Sequence, residues 1–170
     1  PGKHARSKAN QPAFIMATTG VTVTYAELDA RSNRLAHFLR SVGLRRLDHY
    51  AVCMENNVRF VECCAAGERS GLYYTCINSF LNPDELAYIV QHAGDRFLVV
   101  DDVLLPLFAK FADKAKLERV FVVSLTGKPP EQYQSYETLL ASGEEDFRPP
   151  PRNETDAVGL CYTSGTTGKP

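Results

Sequence analysis

Near the end of the chain, Thr163-Ser164-Gly165-Thr166-Thr167-Gly168-Lys169 gathers hydroxyls, glycines and an ammonium group into one short segment. Glycine lets the backbone turn successive N–H groups toward a common point. Serine and threonine add hydroxyl donors, and lysine adds a point charge. Together these are the groups that hold a polyphosphate. The segment follows the apolar run Ala157-Val158-Gly159-Leu160-Cys161, so a strand is expected to deliver it.

Two familiar phosphate loops do not match. A Walker A loop has a glycine five positions before its second glycine, where this chain has Thr163, and a Ser or Thr after its lysine, where this chain has Pro170. The dinucleotide pattern G-x-G-x-x-G fails as well, because neither Gly165 nor Gly168 has a glycine two residues ahead of it. Cys161 to Pro170 instead resembles the phosphate-binding signature of the adenylate-forming superfamily: acyl-CoA synthetases, peptide-synthetase adenylation domains and luciferases. Val23-Thr24-Tyr25-Ala26-Glu27-Leu28 with Ser32-Asn33-Arg34-Leu35-Ala36 resembles the opening of the same enzymes. Gly71-Leu72-Tyr73-Tyr74, Ile77-Asn78 and Leu81-Asn82-Pro83-Asp84-Glu85-Leu86 resemble their middle stretch. Asn78-Ser79 stands where amino-acid-activating domains more often carry Asp-Pro, which leans the resemblance toward a fatty-acyl-CoA synthetase.

The resemblance implies an α/β fold: a mainly parallel sheet flanked by helices, forming the N-terminal part of the large domain of an adenylate-forming enzyme. Residues 1–11 would be a flexible arm, and 12–170 the AMP-binding part, cut within the phosphate loop. The implied reaction has two halves. A carboxylic acid, most like a fatty acid, attacks Mg2+·ATP to give acyl-AMP, and coenzyme A then displaces AMP. An anion must approach a tetra-anion, and donors around the phosphates lower that barrier. By resemblance, Thr163, Ser164, Gly165, Thr166, Thr167, Gly168 and Lys169 form the loop on the ATP β- and γ-phosphates. Ser164, Thr166 and Thr167 would donate hydroxyls there, and Gly165 and Gly168 would allow close backbone approach. No catalytic residue and no metal ligand is assigned within 1–170, because the family's other site residues lie downstream. The chain alone would then be inactive. The alternative is a catalytically silent, adenylation-like domain with a structural or assembly role, and the resemblance leaves room for a homodimer.

Composition narrows the classes. One hundred and seventy residues with 44% hydrophobic content can bury a core. A net charge of −1 argues against a nucleic-acid surface. No apolar run approaches the ~18 residues of a membrane span, and no signal-peptide core is visible. Cys53, Cys63, Cys64, Cys76 and Cys161 form no C-x-x-C pair and read as buried thiols of a reducing compartment, the cytoplasm. The four histidines pair with no Ser or Cys in a nucleophile pattern and read as surface or satisfied side chains.

The elements that must position the loop follow from patterning. Short β runs around Thr19-Gly20 predict a hairpin. Thr24 with Glu27 three residues on predicts a capping box opening a helix over 25–42, which Gly43 stops. Strands are expected at 50–54, 72–77, 97–100, 119–123 and 157–162. Helices are expected at 58–69, after Asn82-Pro83, from about Pro106, and at 136–141. Continuous apolar strands alternating with helices predict a mainly parallel sheet.

Overall fold

A computed structural model describes residues 1–127, 129–145, 147–151 and 153–163. Helix α1 (Gly2–Lys8) precedes an antiparallel hairpin of β1 (Pro12–Ile15) and β2 (Thr22–Thr24). There follow α2 (Tyr25–Ser41), β3 (His49–Cys53), α3 (Val58–Ser70), β4 (Tyr73–Cys76), α4 (Pro83–Ala93) and β5 (Asp95–Asp101). A 3-10 turn (Asp102–Leu104), two short helices α5 (Leu105–Phe108) and α6 (Ala112–Ala115), β6 (Arg119–Val123), β7 (Gln134–Ser135), α7 (Tyr136–Ala141) and β8 (Gly159–Leu160) complete the order.

The main sheet runs β7-β6-β5-β3-β4-β8, and every neighbouring pair is parallel. Its central strands are apolar without alternation because helices cover both faces. On one face Tyr50, Val52, Phe97, Val99 and Phe121 pack with α2, α3 and α7. On the other, Ala51, Cys53, Leu98, Val100 and Val122 pack with α4, α5 and α6. Thus the α/β reading with a mainly parallel sheet holds.

Both N-caps read from sequence form. The Thr24 hydroxyl accepts from Glu27 N while the Glu27 carboxylate accepts from Thr24 N at 2.8 Å. Asn82 and Glu85 make the same reciprocal pair on α4, with Pro83 at the first helical position. Gly71 and Gly94 close α3 and α4 in the left-handed region, at φ 72° each.

Three expectations need correction. Residues 2–8, expected in a flexible arm, form α1. It carries no buried residue and therefore no apolar stripe to read. It is held instead by Ala26 N donating to Ala9 O and by the His4 ring 5.1 Å from Tyr25. In place of one helix from Pro106 there are two four-residue pieces, preceded by a 3-10 turn that the Asp101 carboxylate caps at Leu104 N. The last strand is shorter than 157–162: only Gly159 and Leu160 join the ladder.

Candidate functional site at the carboxyl edge of the sheet

Parallel strands send all their following loops to one edge, and that edge is where open α/β sheets bind ligands. The predicted phosphate segment starts there. Gly159 pairs with Tyr74 and Leu160 with Thr75, and the chain then leaves the edge through Cys161, Tyr162 and Thr163. Ser164, Gly165, Thr166, Thr167, Gly168 and Lys169 lie outside the described residues. Thr163 is described and exposed.

Close packing fixes the strand that delivers the loop. The Tyr74 ring sits between two glycines: a Cβ on Gly67 of α3 would stand 2.7 Å from its Cδ1, and one on Gly159 would stand 3.2 Å from its Cε2. Neither position admits a side chain without displacement of the ring. Tyr74 N also donates to Val158 O at 3.1 Å, so β4 guides the chain before the ladder begins.

Beyond β8 a second clamp acts. The Tyr162 hydroxyl lies 2.7 Å from His92 Nδ1 on α4, and His92 stacks on Tyr88 with ring centroids 5.3 Å apart. The Tyr162 ring packs against the α4-side core. Burial raises the Tyr162 hydroxyl above its ordinary pKa, and the carboxyl of Asp95 adds to the shift. Asp95 is itself buried. Its Oδ1 accepts from the Thr75 hydroxyl at 2.9 Å, and its Oδ2 has no partner among the described residues. The Thr75–Asp95 bond spans β3, where the residue beside Thr75 is Ala51, too small to block it. Burial pushes Asp95 up to about 7, against the pull of the Thr75 hydroxyl. From sequence His92 reads only as a surface or satisfied side chain. Its contact with Tyr162 joins positions far apart in sequence and leaves no local pattern.

A groove of about 370 Å³ opens on the same edge, lined by Met54, Phe60, Cys76, Ile77, Asn78 and Phe80. Phe80 is 95% exposed at its rim. The strand order reverses between β3, which leads to β4, and β5, which leads to β6. That crevice is bridged: the Asp101 carboxylate, held above its ordinary pKa by burial, accepts from Glu55 N at 2.6 Å. Strand β8 therefore ends beside β4, at the outer side of the edge, away from the reversal itself.

The thiols depart from expectation. Cys53 and Cys63 are buried, Cys64 and Cys76 half-buried, and Cys161 exposed. Cys63 and Cys64 are consecutive on a helix and so face different surroundings. Cys161 lies just past the last ladder residue.

The sequence matches a known family along nearly its whole length. Residues 2–170 match the family described as AMP-binding enzyme. The chain belongs to that family. It is 34% identical to a 3-methylmercaptopropionyl-CoA ligase of Ruegeria lacuscaerulensis over 98% of this chain and 32% of that protein. It is 38% identical to a long-chain-fatty-acid–CoA ligase of Thermus thermophilus over 86% of this chain and 26% of the relative. The chain thus spans about a third or less of the curated relatives it matches. Among solved structures, an anthranilate CoA ligase in complex with anthranoyl-AMP superposes with a TM-score of 0.90 at 23% identity, covering 99% of this chain and 32% of that one. At that identity the likeness is one of fold.

Proposed function

We propose that the whole protein of this AMP-binding chain is an ATP-dependent acid–thiol ligase, which activates a carboxylic acid as acyl-AMP and passes the acyl group to coenzyme A. The observation that supports this reading is the position of Thr163, three residues past the carboxyl end of β8, on the sheet edge that also carries the groove. Thr163 to Lys169 would hold the β- and γ-phosphates through hydroxyls, backbone N–H groups and one ammonium. Mg2+ is proposed to arrive on the nucleotide.

A fatty acid is our first choice of substrate. Asn78-Ser79 after β4 supports it, and so does the Thermus thermophilus relative. The spread of names among relatives, from methylmercaptopropionyl to benzoate, keeps other acids in the test. Dependence on ATP and coenzyme A makes the cytoplasm the proposed place of action. No helix among the described residues is long and apolar enough to cross a membrane. The chain by itself is proposed to be inactive, since it holds one side of a nucleotide site.

The test is ATP–pyrophosphate exchange by the full-length protein with fatty, aryl, methylthio and amino acids. Exchange with one acid class, followed by thioester formation on adding coenzyme A, is expected. No exchange with any acid would overturn the ligase and leave the silent, adenylation-like domain in its place.

A further inference from the structure

The sulfur atoms of Cys64 on α3 and Cys76 at the end of β4 lie 4.0 Å apart. Both residues are half-buried, and Cys76 lines the 370 Å³ groove on the carboxyl edge, so small solutes reach the pair. The other thiols differ. Cys53 and Cys63 are buried, and burial pushes them up, Cys53 to about 12. Buried thiols of that kind are inert, and Cys161 is exposed, so among the accessible cysteines Cys64 and Cys76 are the two whose sulfurs lie 4.0 Å apart.

We propose that Cys64 and Cys76 are a reversible dithiol–disulfide site, oxidised by a hydroperoxide reaching Cys76 through the groove. The Cys76 thiolate attacks one oxygen of the peroxide, the O–O bond breaks, and Cys76 sulfenic acid and hydroxide form. The Cys64 sulfur then attacks the Cys76 sulfur. An S–S bond forms, the S–O bond breaks, and water leaves with the Cys64 proton. Two thiols lose two electrons and the peroxide gains two. A dithiol reductant reverses the change by exchange.

The pair is suited to this order of events. With Cys64 as donor, the sulfur contact holds Cys76 below the ordinary thiol range and, together with burial, pushes Cys64 up. Cys76 is then the thiol that ionises first, and it is the one that faces the groove. The bond would fasten α3 to β4 two residues beyond Tyr74, the ring that seats β8.

The test uses the full-length protein treated natively with hydrogen peroxide, then denatured without reductant, alkylated and digested with trypsin. Residues 60–69 are expected to appear joined to residues 70–96, with Cys63 alkylated and Cys64 in the bond. Alkylation of Cys64 and Cys76 should fall together at least severalfold and return with dithiothreitol. Cys64→Ser and Cys76→Ser should each abolish the cross-link. The wild-type peptide map is decisive even if a variant folds poorly. Full alkylation of both cysteines after peroxide would overturn the proposal. So would a bond through Cys63 or Cys161, or a stable oxyacid on Cys76 with Cys64 still free.

Discussion

Tyr162 and His92 touch through their polar ends, Oη to Nδ1 at 2.7 Å, although 70 residues separate them. The contact ties the residue before Thr163 to α4. Its loss should loosen the phosphate segment more than the fold. Tyr162→Phe keeps the ring packing and deletes one hydrogen bond, worth about 1 kcal/mol. In the full-length protein it should raise the KM for ATP severalfold and barely move the melting temperature. His92→Ala should do the same, and the double variant should be no worse than either. Additive effects in that cycle would show that the two residues act separately.

For the phosphate segment itself, Thr166→Ala and Gly168→Ala should lower the pyrophosphate-releasing half-reaction. One charge-assisted hydrogen bond is worth about 1.5–3 kcal/mol, on the order of tenfold to a hundredfold in rate if made fully only in the transition state. Melting temperature should stay nearly constant. Variants that melt many degrees lower while the folded remainder keeps the wild-type rate would mark the segment as structural.

Gly159→Ala should destabilise by about 1–3 kcal/mol, the usual cost of overpacking, because the new Cβ meets the Tyr74 ring at 3.2–3.5 Å. The three nearest atoms all belong to that one side chain, so Tyr74→Leu should recover much of the loss. Gly67→Ala should not be rescued the same way. Its Cβ would also stand 2.9 Å from the Tyr50 hydroxyl, which is fully buried and donates to Cys63 O. Urea midpoints of the three single and two double variants decide this.

Asp95 makes stability depend on pH. Its folded pKa is raised from 3.8 to about 7. The folded form therefore keeps a proton that the unfolded chain releases, and stability falls as pH rises from about 4 to about 7 and is level above. Three units at about 1.4 kcal/mol each set an upper limit of about 4 kcal/mol. Asp95→Asn should flatten that slope and gain stability at pH 8 while changing little at pH 4. An unchanged slope in the variant would place the titration elsewhere.

Glu62 is fully buried on α3 and receives Arg31 Nε at 2.6 Å, Arg59 Nη1 at 2.8 Å and the Tyr136 hydroxyl at 3.1 Å. Glu62→Ala leaves these donors facing an apolar gap and should cost about 3–5 kcal/mol. Glu137→Ala removes an exposed partner of the same arginines and should cost less than about 1 kcal/mol. Denaturant titration of both variants checks the ratio.

What could be read in advance was local. Thr24 with Glu27, and Asn82-Pro83 with Glu85, announce their helices because a cap is a contact between near neighbours. The runs at Tyr50, Phe97 and Phe121 announce buried strands because both faces of the sheet are covered. Strand β7 has two residues and no pattern. Helix α1 has no buried stripe. The His92–Tyr162 contact, the Thr75–Asp95 bond across β3 and the Arg31–Glu62 pair join distant positions, and nothing within a short window of sequence requires them. Thr163, proposed to open the phosphate segment, is exposed three residues past β8.

The seat of Tyr74 also orders events in time. Its inner face finds Gly67 as soon as α3 and β4 meet, a contact closed within one short stretch of chain. Its outer face stays bare while β5, β6, β7 and α7 are built on the far side of β3, until the polypeptide has run on to Gly159. On a ribosome that aromatic surface and the open edge of β4 would be visible to other chains for the whole interval. Misassembly would then concentrate at that edge.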